Sequence, residues 1–180
     1  MIQRSVPGYE LIISTIGMFS KKYAQPGTNL YDLGCSLGAV TMAMVKDLPF
    51  EDCRIFAIDN APAMISKLRK TIEQFECPIP VETIESDVCN IQIINASVVV
   101  LNFTLQFIDQ QTRSNLINRI YEGLNPGGIL ILSEKITHDD IDEEDFHVGQ
   151  HLDLKRYNGY SDLEISQKRT ALENFLIPES

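Results

Sequence analysis

The sequence has no C-x-x-C pair, no histidine cluster beside its cysteines, no surplus of positive charge and no apolar run near the ~20 residues of a membrane-spanning helix. Each absence narrows the function. Cys35, Cys53, Cys77 and Cys89 are too widely spaced for a zinc motif, so no metal site is expected. With no secretory signal either, they are expected as reduced, mostly buried thiols of a cytoplasmic protein. The most apolar stretches, LIISTIGMF and SVVVLNF, are short and contain polar residues, so no membrane association is expected. Against 25 Asp and Glu stand only 15 Lys and Arg, a net charge of −10. That field repels phosphate backbones, and direct nucleic-acid binding is not expected. Both the dinucleotide fingerprint G-x-G-x-x-G and the phosphate loop ending G-K-[ST] are missing.

What is present is an alternation. The 180 residues are 44% hydrophobic and 22% charged, which suits a single domain, 1–180. Short apolar or β-branched runs, NLYDL (29–33), RIFAID (54–59), PVETIE (80–85), SVVVLNF (97–103) and GILILSE (128–134), have the length of buried parallel strands. Between them AVTMAMVKDL, PAMISKLRKTIEQF and QQTRSNLINRIYEGL carry apolar residues at helical spacing, and GLNPGG stops the last of these. One helix, ELIISTIGMFSKKY, precedes the first strand. The order predicts an α/β fold with a doubly wound, Rossmann-like, mostly parallel sheet over 28–134 and helices on both faces. Residues 1–27 form an N-terminal helical segment. Over 135–180 the acidic THDDIDEEDF is expected as a solvated loop or helix start, followed by two short helices around YNGYS.

The polar residues at strand ends are the informative ones. Asp32-Leu33-Gly34-Cys35-Ser36-Leu37-Gly38 ends the first strand in a glycine-containing turn, which lets a ligand approach backbone and helix N–H groups. Asp59, with Asn60, ends the second strand, where a carboxylate can accept both ribose hydroxyls of an adenosine group. Asp87, followed by Val88, lies after the third strand and would reach an adenine edge. Asn102 ends the fourth. Any one such Asp is more often a helix cap than a ligand contact. Four in register at carboxyl strand ends mark a ligand site of an open α/β sheet.

The ordered elements D-L-G-x-x-x-G, I-D-N, S-D-V and G-L-N-P-G-G resemble the class I S-adenosylmethionine-dependent methyltransferase fold. MIQRSVPGY, YDLGCSLGA, AIDNAPAMI, VVLNFTLQF, LSEK, KRYNGYS and LEISQKR together resemble, within it, the carboxy-S-adenosyl-L-methionine synthase family. That resemblance implies conversion of S-adenosylmethionine and prephenate to carboxy-S-adenosylmethionine and phenylpyruvate, the product serving a partner enzyme that modifies tRNA wobble uridines. A sulfonium methyl is acidic enough to lose a proton, and the resulting carbanion captures carbon dioxide released from prephenate. The hydroxide that prephenate loses is the base the family is understood to use, so few catalytic side chains are needed. His138, His147 and His151 receive no role.

By the same resemblance the cofactor contacts fall on Tyr9, Gly34, Cys35, Ser36, Asp59, Asn60, Asp87, Val88 and Asn102. Arg169 takes the carboxylate, a role its planar fork suits. The family's members are homodimers, and a C-terminal arginine can serve a site shared between subunits. They also begin upstream of Met1 and continue past Ser180 with antiparallel strands expected beside GILILSE. Without these, that strand is expected to present an unpaired apolar edge. Two further readings stand beside this one: a conventional small-molecule methyltransferase on the same fold, and a non-catalytic cofactor-binding module.

Overall fold

The computed structural model describes residues 2–50, 52–172 and 176–178. Tyr9–Tyr23 (α1) precedes an alternation of Asn29–Leu33 (β1), Ala39–Asp47 (α2), Arg54–Asp59 (β2), Pro62–Phe75 (α3) and Val81–Glu85 (β3). Ala96–Asn102 (β4), Gln110–Gly123 (α4), Leu124–Ser133 (β5), Ile141–Tyr157 (α5) and Asp162–Leu172 (α6) complete it. The five strands form one parallel sheet in the order β3-β2-β1-β4-β5. The predicted doubly wound architecture is therefore present, and the strand order reverses between β1 and β4.

Burial follows from position in the sheet. Leu30, Tyr31, Asp32 and Leu33 of β1 and Ala96 through Leu101 of β4 are all buried, because both central strands are covered on both faces. One face packs Leu33, Val99 and Leu101 against Leu116 and Ile120 of α4. The other packs Leu30, Val98 and Val100 against Ile16 of α1 and Val40 and Met44 of α2. Such burial, roughly 1.5–3 kcal/mol for each large aliphatic side chain, fixes the strand ends that carry the polar residues.

Two boundaries differ from expectation. GLNPGG does not separate α4 from a strand starting at 128: β5 begins at Leu124, and the pairing register slips between Ala96↔Leu124 and Val98↔Ile129. The prolyl and glycyl residues are absorbed as an irregularity inside a strand. The acidic segment also does more than start a loop. Asp140 caps α5 by accepting the Glu143 N–H at 2.9 Å, and Asp142, Glu143 and Glu144 occupy its first turn, where carboxylates complement the helix dipole. The expected first short helix is consequently 17 residues long. The second is α6, and residues 173–175 of the predicted helical stretch lie outside the described residues.

Candidate functional site

At the carboxyl rim, where the strand order reverses, lies a cleft of about 540 Å³ lined by Gly34, Ser36, Asp59, Asn60, Asp87, Val88 and Asn102 among others. Seven of the predicted site residues thus line one cleft. Hydrogen bonds between strand ends hold them. The Gly34 and Cys35 N–H groups both donate to the Ile58 carbonyl, at 2.8 and 2.9 Å. Asp59 accepts the Ser36 N–H on one oxygen at 2.8 Å and the Ala61 N–H on the other at 2.9 Å, so its carboxylate is fixed between two turns with lone pairs left over. Asp87 accepts the Cys89 N–H at 2.7 Å. The capping role and the binding position coincide in this residue.

Gly34 has φ 85°, and a Cβ there would stand 2.3 Å from Thr104 Oγ1. Glycine is required on both counts. Thr104 in turn donates to the Leu33 carbonyl at 2.9 Å, which ties the turn after β4 to the turn after β1. Glu134 secures the same wall: its carboxylate accepts the N–H groups of Thr104, Leu105 and Gln106 at 2.9, 2.7 and 3.3 Å. Burial raises its pKa despite those bonds.

Asn102 Oδ1 is buried and has no hydrogen-bond partner among the described residues. An orphaned carbonyl at the lip of a cleft is a costly arrangement that a donor on a ligand would satisfy. An α-amino or adenine N–H group of S-adenosylmethionine is such a donor, and the paired oxygens of Asp59 fit ribose hydroxyls. The residues present therefore fit this cofactor.

Other predicted residues sit elsewhere. Cys35 is buried behind the turn, and burial together with the charges of Asp32 and Asp59 pushes its thiol well above the ordinary range, so it is no nucleophile. Tyr9 is buried too, and it lines a separate depression with Ile13, Gly17 and Met42 between α1 and α2. Arg169 is exposed on α6 and is not among the cleft residues. Sequence reasoning passed over Phe103, Thr104 and Phe107, which also line the cleft. Phe103 has φ 57°, and the only local sign of this in NFTLQF is its place directly after a strand. Asp32, noticed in the motif but given no role, is buried, accepts the Thr41 hydroxyl at 2.6 Å and has its pKa raised to about 6, chiefly by burial.

The histidines lie outside the cleft. His151 Nε2 bonds the Ser5 carbonyl at 2.7 Å. His138 and His147 flank Glu143 at 3.3 and 3.9 Å, with their rings stacked at 4.4 Å and 16°. Rings so nearly parallel cannot both direct in-plane lone pairs at one ion in this arrangement. No helix among the described residues is long and apolar enough to cross a membrane.

Residues 30–128 match the methyltransferase domain family. Two carboxy-S-adenosyl-L-methionine synthases from Escherichia coli are 54% and 53% identical over all 180 residues, which span 73% of each relative. Solved structures share the fold at low identity. A cyclopropane synthase from Mycobacterium tuberculosis aligns over 93% of this chain and 55% of its own, with TM-score 0.66 and 18% identity. A coclaurine N-methyltransferase bound to N-methylheliamine and SAH aligns over 72% and 38%, with TM-score 0.57 and 19% identity. With its doubly wound sheet, its cleft at the strand reversal and this identity along its whole length, the chain belongs to the carboxy-S-adenosyl-L-methionine synthase family of class I methyltransferase folds.

Proposed function

We propose that this protein converts S-adenosylmethionine and prephenate into carboxy-S-adenosylmethionine and phenylpyruvate, and that a partner enzyme uses the product to modify tRNA wobble uridines. The identity of 54% over the whole chain to carboxy-S-adenosyl-L-methionine synthases carries this reading. S-adenosylmethionine supplies a sulfonium methyl acidic enough to exchange a proton for a carboxyl group. Prephenate balances the change: it loses carbon dioxide, which becomes the new carboxyl, and hydroxide, which takes the methyl proton and leaves as water.

The protein's share is placement. Asp59 holds the ribose, Asn60, Asp87 and Val88 frame the adenine, the Gly34–Ser36 turn lies against the amino-acid end, and Asn102 accepts the amine. Tyr9 takes the role of folding over the cofactor, as the family resemblance implies. Arg169, exposed on α6, suits a carboxylate site completed across a homodimer, since a guanidinium keeps its charge and grips a carboxylate bidentately.

Incubation of the purified protein with S-adenosylmethionine, with and without prephenate, followed by mass spectrometry of the cofactor, tests this. A prephenate-dependent gain of one carboxyl group is expected. Accumulation of S-adenosylhomocysteine with an acceptor, and no carboxylated product, would instead identify a methyltransferase.

A further inference from the structure

A protein of charge −10 repels a dianion at long range, so a dicarboxylate must be drawn in by a local concentration of positive charge. One such concentration exists, and it is built partly on the N-terminal segment whose Ile2 lines the cleft. Tyr160, in the turn between α5 and α6, is buried, and its hydroxyl accepts Lys168 Nζ at 2.5 Å and the Ser5 hydroxyl at 3.0 Å. The Arg4 guanidinium stacks over its ring, 4.4 Å from the centroid, and Lys168 Nζ lies 4.2 Å from the same centroid. Lys155 and Lys135 stand close enough that Lys155 is held below its usual pKa, first by burial and then by Lys168 and Lys135. His151, half-buried, adjoins the group through its bond to Ser5.

These cations come from four parts of the chain. None of Arg4, Lys135, Lys155 and Lys168 has a carboxylate within ion-pair distance among the described residues. Carboxylates are at hand nevertheless. Arg156, next to Lys155, is held by Asp153 and Asp162, both at 3.0 Å. Glu164 is near enough to feel Arg4 and Lys168, but its carboxylate is turned to the Ser161 N–H at 2.8 Å. Gathering like charges without a counterion is unfavourable, and an incoming anion reverses the sign of that cost. The position is equally suggestive. Ile2, two residues before Arg4, lines the cleft, and Lys135 follows Glu134, whose carboxylate holds the cleft residue Thr104.

We infer that Arg4, Lys155 and Lys168, organised around Tyr160, form the anchor for a carboxylate of the second, dianionic substrate at the edge of the cofactor cleft. The inference rests on the reading under Proposed function for the identity of that substrate, and on the geometry alone for the chemical class. Lys168 is the pivotal member, because the hydroxyls of Tyr160 and, at 3.5 Å, Ser5 fix its ammonium and leave its third donor for the ligand.

Calorimetric binding of prephenate, and separately of malonate as a plain dicarboxylate, to the cofactor-loaded protein tests this together with steady-state kinetics. Lys168→Met is expected to weaken both anions about tenfold and raise the KM for prephenate similarly, with a smaller effect on kcat and on S-adenosylmethionine affinity. Lys168→Arg, which keeps the charge, is expected to restore most of the loss. Lys155→Met, which spares the Lys155 carbonyl that accepts the Tyr160 N–H at 3.0 Å, should act in the same direction. Anion binding and KM that are unchanged in both Met variants would overturn the inference even if turnover establishes the function. Conversely, Lys168-dependent dicarboxylate binding without carboxylation would sustain the inference and remove the proposed reaction. Failure of the wild-type protein to bind either anion overturns it outright.

Discussion

Asp32 is a residue whose cost can be measured. Burial raises its pKa from 3.8 to about 6, so between those values the folded protein holds a proton that the unfolded chain has released. Stability contributed by this group is therefore lost as pH rises through that window and stays lower above it. Asp32→Asn should remove the loss while keeping an acceptor for the Thr41 hydroxyl. The Tm advantage of the variant is expected to grow from about pH 4 to about pH 7, as followed by thermal denaturation. At Asp59, loss of the carboxylate in Asp59→Ala should weaken S-adenosylmethionine at least about tenfold by calorimetry, because two fixed acceptor oxygens disappear at once. Gly34→Ala is expected to destabilise by about 2–4 kcal/mol in urea titration, combining a left-handed backbone with the collision against Thr104.

At the level of elements, the turn of Leu105–Phe107 is held to the sheet by one carboxylate. Glu134→Ala leaves the N–H groups of Thr104, Leu105 and Gln106 without their acceptor and should cost about 2–3 kcal/mol, together with weaker cofactor binding, since Thr104 and Phe107 line the cleft. Elements whose pattern is local were legible in the sequence: β1, β2 and α3 start and end where their residue runs do. β5 was not, because its first residues are strand only by virtue of pairing with β4 across an irregular register. The same contrast runs through the site. Asp59, Asp87 and Asn102 were legible because a strand end dictates where they point. Thr104 and Phe107 were hidden, for their place depends on Glu134, a residue some thirty positions away. Tyr160 and Lys168 were hidden for a similar reason, since the turn before α6 and α6 itself meet Arg4 from the far end of the sequence.

For the whole molecule, β5 is one of the two edges of the sheet among the described residues, and Leu132 on it is 47% exposed. An apolar edge is a template for association. Sedimentation should show a mass that rises with concentration, and Leu132→Lys should reduce the rise; a homodimer built elsewhere would persist in that variant. The parallel order has a further consequence, for the timing of assembly during synthesis. β1 pairs on one side with β2, which follows it closely, but on the other with β4, which starts only at Ala96. A nascent chain that has emerged as far as β3 can already present the glycine turn and Asp59, yet it lacks Asn102 and the opposite wall. Cofactor therefore cannot favour folding on the ribosome until β4 has emerged and inserted beside β1, and the long-range insertion is the step expected to limit the folding rate.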